Sequence, residues 1–108
     1  IGIDFVSLYC IINEKISYDD IYYLKKDGKY TVLIHKRGEG RVRKSLSELF
    51  EELDSEEFLF IEKGFIVNIR HVMKMKDHVL YMRDGSKLPV GIQRVTEVKR
   101  KIAEYWRC

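Results

Sequence analysis

Residues 58–72 read Phe-Leu-Phe-Ile-Glu-Lys-Gly-Phe-Ile-Val-Asn-Ile-Arg-His-Val, two apolar, β-rich runs divided only by Glu62-Lys63-Gly64. So short a polar kink makes a strand–loop–strand unit, with a cation at its tip (Lys63) and two more at its tail (Arg70, His71). The pattern recurs along the chain. Phe5–Cys10 and Ile21–Leu24 are rich in β-branched and aromatic residues. Tyr30–His35 follows the turn Lys26-Asp27-Gly28-Lys29, whose Asp-Gly pair supplies a positive φ. Gly38-Glu39-Gly40 is expected to turn the chain into Arg41–Lys44. Val72–Lys76 and Val79–Met82 are expected to pair across Asp77-His78, and Asp84-Gly85 to lead into Lys87–Val90. Strands joined by short turns, with no helix between them, imply antiparallel pairing and a mostly β domain.

Two stretches break the alternation. Ser45-Leu-Ser-Glu48 has the spacing of a capping box, and Leu46, Leu49, Phe50 and Leu53 then share one face of a short helix. Over Gln93–Trp106, Val95, Val98, Ile102 and Trp106 recur every three or four residues beside Lys99, Arg100 and Lys101. That helix is expected to dock by its apolar stripe with its cations in water.

With 108 residues and 45% hydrophobic content, the chain is expected to be one domain, residues 1–108, with a modest core. Opening on Ile1 rather than Met, it reads as a piece of a longer protein. No run reaches the roughly 20 apolar residues of a membrane span, and no signal segment opens the chain. Cys10 and Cys108 have neither metal nor redox spacing, so a reducing cytoplasm is the expected setting.

Net charge is only +3, but it is unevenly placed. Seven of the 17 acids lie within residues 45–62, where no Lys or Arg occurs, leaving 20 bases against 10 acids elsewhere. Such segregation can give one face a field of one sign.

Chemistry of the enzymatic kind finds little footing. His35, His71 and His78 lack zinc spacing, and Ser45 and Ser47 stand outside any nucleophile elbow. Gly38 and Gly40 lead into a strand, not a phosphate-binding helix. No cofactor, metal site or catalytic residue is expected. Nucleic-acid binding fits better, because the bases cluster at turns and strand ends. Lys25, Lys26 and Lys29 flank the first hairpin loop, Lys63 tips the central kink, and Arg70 and His71 end the following strand. Gln93 and Arg94 sit in a loop led by Gly91, which can approach another backbone closely. Lysines there suit phosphates, whereas Arg, Gln and Tyr can reach base edges. Tyr22, Tyr23, Phe58 and Phe60 lie within strands and are expected to pack in the core.

Five blocks between about Ile16 and Val98 resemble, in order and spacing, the LytTR-type DNA-binding domain of bacterial response regulators. They are Asp20-Ile-Tyr-Tyr-Leu24, Asp27-Gly-Lys-Tyr30, Lys44-Ser-Leu-Ser-Glu-Leu49, Phe58–Val72 and Asp84-Gly-Ser-Lys-Leu-Pro-Val90. The resemblance implies an elongated stack of small antiparallel sheets with short helices, reading double-stranded DNA through inter-strand loops. It also implies paired direct repeats as the target, a possible dimer on DNA, and a receiver domain in the full-length chain of a two-component system. Carried over residue by residue, the DNA-contacting loops fall on Lys29-Tyr30, on Lys63-Gly64 and on Gly91–Arg94. Asn68 matches an Asn read as structural. After Leu-Pro-Val the family usually shows Ser-Arg, whereas this chain has Gly91-Ile92-Gln93-Arg94. The hydroxyl is absent, and Arg94 supplies a guanidinium two positions later.

The expectation is therefore a sequence-specific DNA-binding domain of a transcriptional regulator. The competing reading is a protein-interaction module with segregated acidic and basic faces.

Overall fold

The computed structural model describes residues 5–9 and 13–107, with side chains described from residue 16 onward. Among the described residues, ten strands form three antiparallel sheets. In chain order they are β1 (Phe5–Tyr9), β2 (Asn13–Ser17), β3 (Ile21–Asp27), β4 (Tyr30–His35), β5 (Gly38–Val42), β6 (Phe58–Glu62), β7 (Phe65–Asn68), β8 (Val72–Lys76), β9 (Val79–Met82) and β10 (Lys87–Pro89). Helix α1 (Leu46–Leu53) lies between β5 and β6, and α2 (Val95–Trp106) ends the chain.

The central sheet has the order β5-β4-β3-β7-β6, flanked by a β1-β2 hairpin and a β10-β9-β8 sheet. Each face of the central sheet buries its own cluster. Leu24, Leu33 and Ile66 pack with Ile16 of β2 and with Leu46, Leu49 and Leu53 of α1. On the other face Leu59, Ile61 and Val67 pack with Leu80, Met82 and Leu88 of the three-stranded sheet and with Val98 of α2. The domain is thus a stack in which the five-stranded sheet is the middle layer. That matches the expected fold class of small antiparallel sheets with short helices.

Helix α1 starts as its sequence dictates: Ser45 Oγ accepts from Glu48 N (3.1 Å), and Glu48 Oε1 accepts from Ser45 N (3.2 Å). The Asp77-His78 turn carries φ values of 52° and 63°, the left-handed pair that a two-residue hairpin needs to match strand twist. Asn68 is fully buried; its Nδ2 donates to the carbonyls of Tyr18 (3.2 Å) and Ile21 (3.0 Å), while its Oδ1 accepts from Arg70 N (3.0 Å).

Several expectations are corrected. The strand expected over Phe5–Cys10 is present over Phe5–Tyr9, and Cys10 lies outside the described residues. Its partner β2, Asn-Glu-Lys-Ile-Ser, is too polar to announce itself as a strand. Gly38 and Gly40 do not form a turn but lie inside β5, paired with His35 and Leu33. Lys36-Arg37 makes the reversal instead, with Gly38 at φ 133°. Phe50 is 36% exposed and reaches past the buried leucines to stack on Phe60, ring centroids 5.0 Å apart. Trp106 is 50% exposed, because Tyr105 takes the last apolar position of α2. Burial, with the Glu57 carboxylate beside it, raises the pKa of the Tyr105 hydroxyl, which stays protonated at neutral pH and donates to Glu57 Oε2 (3.5 Å). Of the four strand aromatics expected in the core, Tyr23 and Phe58 are buried, while Tyr22 and Phe60 are half-buried.

Candidate nucleic-acid interface

Three loops meet at one end of the central sheet. The β3–β4 loop is two residues long, with Asp27 paired to Tyr30 and Gly28 at φ 62°. Such a loop cannot bend away from its strands, so Lys26 and Lys29 stand at the sheet's rim, both exposed. The β6–β7 turn, Lys63-Gly64, is tied to the first loop by Lys26 N donating to Gly64 O (3.0 Å). Its inner side is closed by Glu62 Oε1, which accepts from Gly64 N (2.9 Å). The third loop follows β10. Gly91 N donates to Ile61 O (2.8 Å), which pins the loop beside the β6–β7 turn. Gly91 thus makes the close backbone approach expected of it, although a Cβ built there would lie 3.6 Å from Ile61 O, an ordinary contact.

Between the first two loops and the start of α1 lies a cavity of about 520 Å³, lined by Lys26, Lys29, Tyr30, Arg43, Ser47 and Lys63 among others. Lys26, Lys29, Arg43 and Lys63 make no ion pair among the described residues. The acids bordering this end are engaged: Asp27 pairs with Arg41 (2.8 Å), and Glu48 and Glu62 accept from backbone N–H groups. The cavity lining carries Lys26, Lys29, Arg43, Lys44 and Lys63 against Glu48, so its charge is net positive.

The sequence-expected residues divide by position. Lys26, Lys29, Tyr30, Lys63 and Gly64 line or border this end, with Gly91 against Ile61 next to it. Tyr30 is 37% exposed, with the Arg41 guanidinium over its ring at 5.1 Å. Gln93 is exposed in a single 3-10 turn, Ile92–Arg94, held by Arg94 N donating to Gly91 O (2.8 Å). The Arg94 guanidinium lies over the Phe60 ring at 5.6 Å, which fixes its direction at modest cost in solvation. It also borders a second cleft, of about 620 Å³, whose rim carries Glu51, Asp54, Glu56 and Glu97.

Arg70 and His71 stand elsewhere. They follow Asn68 at the opposite end of β7, where Arg70 Nη1 pairs with Asp19 Oδ1 (3.3 Å). His71 Nε2 meets the Asp19 carbonyl, a pure acceptor, so that nitrogen carries the proton, and its ring packs on Tyr22 at 4.8 Å. Sequence reasoning passed over two residues of the loop-bearing end. Arg43 closes the basic cavity; its one signal is a cation two residues before the Ser45 cap. Ile92 is 80% exposed between Gly91 and Gln93, an apolar side chain with no core to join.

The scaffold is thus a mostly β domain that offers cationic loops from one end, beside the start of α1. A family model described as the LytTr DNA-binding domain matches residues 13–103, and the chain belongs to that family of DNA-binding domains. The solved LytTr DNA-binding domain of a methyl-accepting/DNA response regulator from Bacillus cereus superposes with a TM-score of 0.82 at 21% identity, covering 94% of this chain and 98% of that one. At that identity the likeness is one of fold. No curated protein matches the chain. No helix among the described residues is long and apolar enough to cross a membrane, and those residues hold no cluster of metal-binding side chains.

Proposed function

We propose that this domain binds duplex DNA sequence-specifically through its inter-strand loops, as the DNA-binding part of a two-component transcriptional regulator acting in the cytoplasm. One observation carries the reading: Lys26, Lys29, Arg43 and Lys63 converge, without carboxylate partners among the described residues, on a single loop-bearing end. Point charges on flexible stems suit phosphates, and each one engaged releases counterions. Base reading falls to the Gly91–Arg94 loop. Gln93 offers paired donor and acceptor for adenine, Arg94 a fork for guanine, and Ile92 an apolar contact for the thymine methyl. The chain's family and the response-regulator origin of the Bacillus cereus neighbour support a receiver domain elsewhere in the protein and paired direct repeats as target.

Selection of bound fragments from random duplex DNA tests this directly. Recovery of a shared motif, repeated at a fixed spacing, is the expected result. Recovery of unrelated sequences, with an affinity that does not fall as salt rises, would sink it.

A further inference from the structure

The outer face of the three-stranded sheet is cationic and faces away from the core. Leu80, Met82 and Leu88 point inward to the buried cluster, so their neighbours on β8, β9 and β10 point out. Two rows run across that face in register: Lys74, Tyr81 and Lys87, then Lys76, Val79 and Pro89. Tyr81 holds an ammonium on each side, Lys74 Nζ at 5.0 Å and Lys87 Nζ at 5.7 Å from its ring centroid. Those contacts steer two flexible side chains without neutralising them. The three strands contain no acid, and Lys74, Lys76 and Lys87 make no ion pair among the described residues. Lys74 and Lys76 on β8 and Lys87 on β10, with β9 between them, thus put three exposed like charges on one face. The second row ends at the Asp77-His78 turn, where Val90 N donates to His78 O (2.9 Å), one residue before the Gly91 loop. The face therefore borders the Gly91 loop, with the exposed Asp77 carboxylate at the junction.

We infer that this face takes the phosphodiester backbone of DNA flanking the loop-bound site, the duplex bending round the Asp77-His78 edge to reach it. The inference rests on the DNA-binding reading and extends its footprint. Phosphate contact carries no sequence information, so Lys74, Lys76 and Lys87 add affinity and salt dependence rather than specificity.

The test compares two duplexes bearing the selected site at their centre, one of about 16 base pairs and one of about 40, the latter four helical turns. A mixed-sequence pair serves if selection returns no motif. For the wild-type chain, the logarithm of affinity should fall with the logarithm of salt more steeply on the long duplex, by about three units, one for each lysine. K74Q/K87Q should cut that difference to about one unit, the share of Lys76, while leaving the short duplex and the melting temperature unchanged, and K74R/K87R should keep it. Equal wild-type slopes on both duplexes, or an unaltered long-duplex slope in K74Q/K87Q, overturns the proposal while the loop reading stands. Failure of the wild-type chain to bind either duplex overturns both.

Discussion

The paired strands β3 and β7 have basic residues beyond both ends of their pairing, Lys26 and Lys63 at one and Arg70 and His71 at the other, and the fold sets different things against each. At the Lys26–Gly64 end, the lysines and Arg43 face a cavity whose bordering acids are already engaged by Arg41 or by backbone N–H groups. At the Asn68 end, Arg70 meets Asp19, and His71 is held by the Asp19 carbonyl and the Tyr22 ring. The residue types are alike, and their availability is not. On the proposed reading, the cations whose charge the tertiary structure leaves uncompensated are the ones that serve a polyanion.

Five substitutions would break or sharpen that comparison, the largest effect first. Asn68→Ala removes an amide that satisfies two carbonyls and one N–H at the closed end. It should cost about 1–3 kcal/mol of stability, read as a lower melting temperature. A normal melting temperature with lost DNA affinity would make the Asn68 end a contact surface and erase the distinction.

Arg94→Ala should narrow the gap between cognate and scrambled duplexes by about 1–3 kcal/mol. The readout is a pair of titrations, and an equal loss on both duplexes would reduce Arg94 to a phosphate clamp and move base reading to Gln93. Lys26→Ala and Lys63→Ala should weaken binding to every duplex alike, each lowering the salt slope by about one unit. Unchanged slopes would remove the open end from the interface.

Arg70→Ala should change DNA affinity least. Its ion pair with Asp19 is half-exposed, worth about 0–1 kcal/mol at most to stability. Titration and melting should both move little; a loss of affinity matching that of Lys63→Ala would show that the closed end also touches DNA.

The hairpin grammar of residues 58–90 and the α1 capping box were legible in the sequence because each is decided by neighbours within a few positions, whereas Asn68, read as structural by resemblance, is satisfied by carbonyls 50 and 47 residues away. Turn residues fix a local φ, and a Ser three residues before a Glu fixes a helix start. Strand β2 and the Lys36-Arg37 reversal were not legible, since their residues carry no local preference and the pairing partner imposes the conformation.

By itself the sequence determined that these strands pair antiparallel and that cations sit at their turns. Only the tertiary structure decided which cations are free. Arg70 and Lys63 lie seven residues apart on one strand–loop–strand unit, yet a residue 51 positions away from Arg70 pairs with it. The same packing placed Arg43 in the basic cavity, left Phe50 and Trp106 half in water, and gathered Lys74 and Lys87 round one ring. Local rules act through bonded geometry over a few residues, whereas charge compensation and burial depend on distances set by contacts between remote parts of the chain.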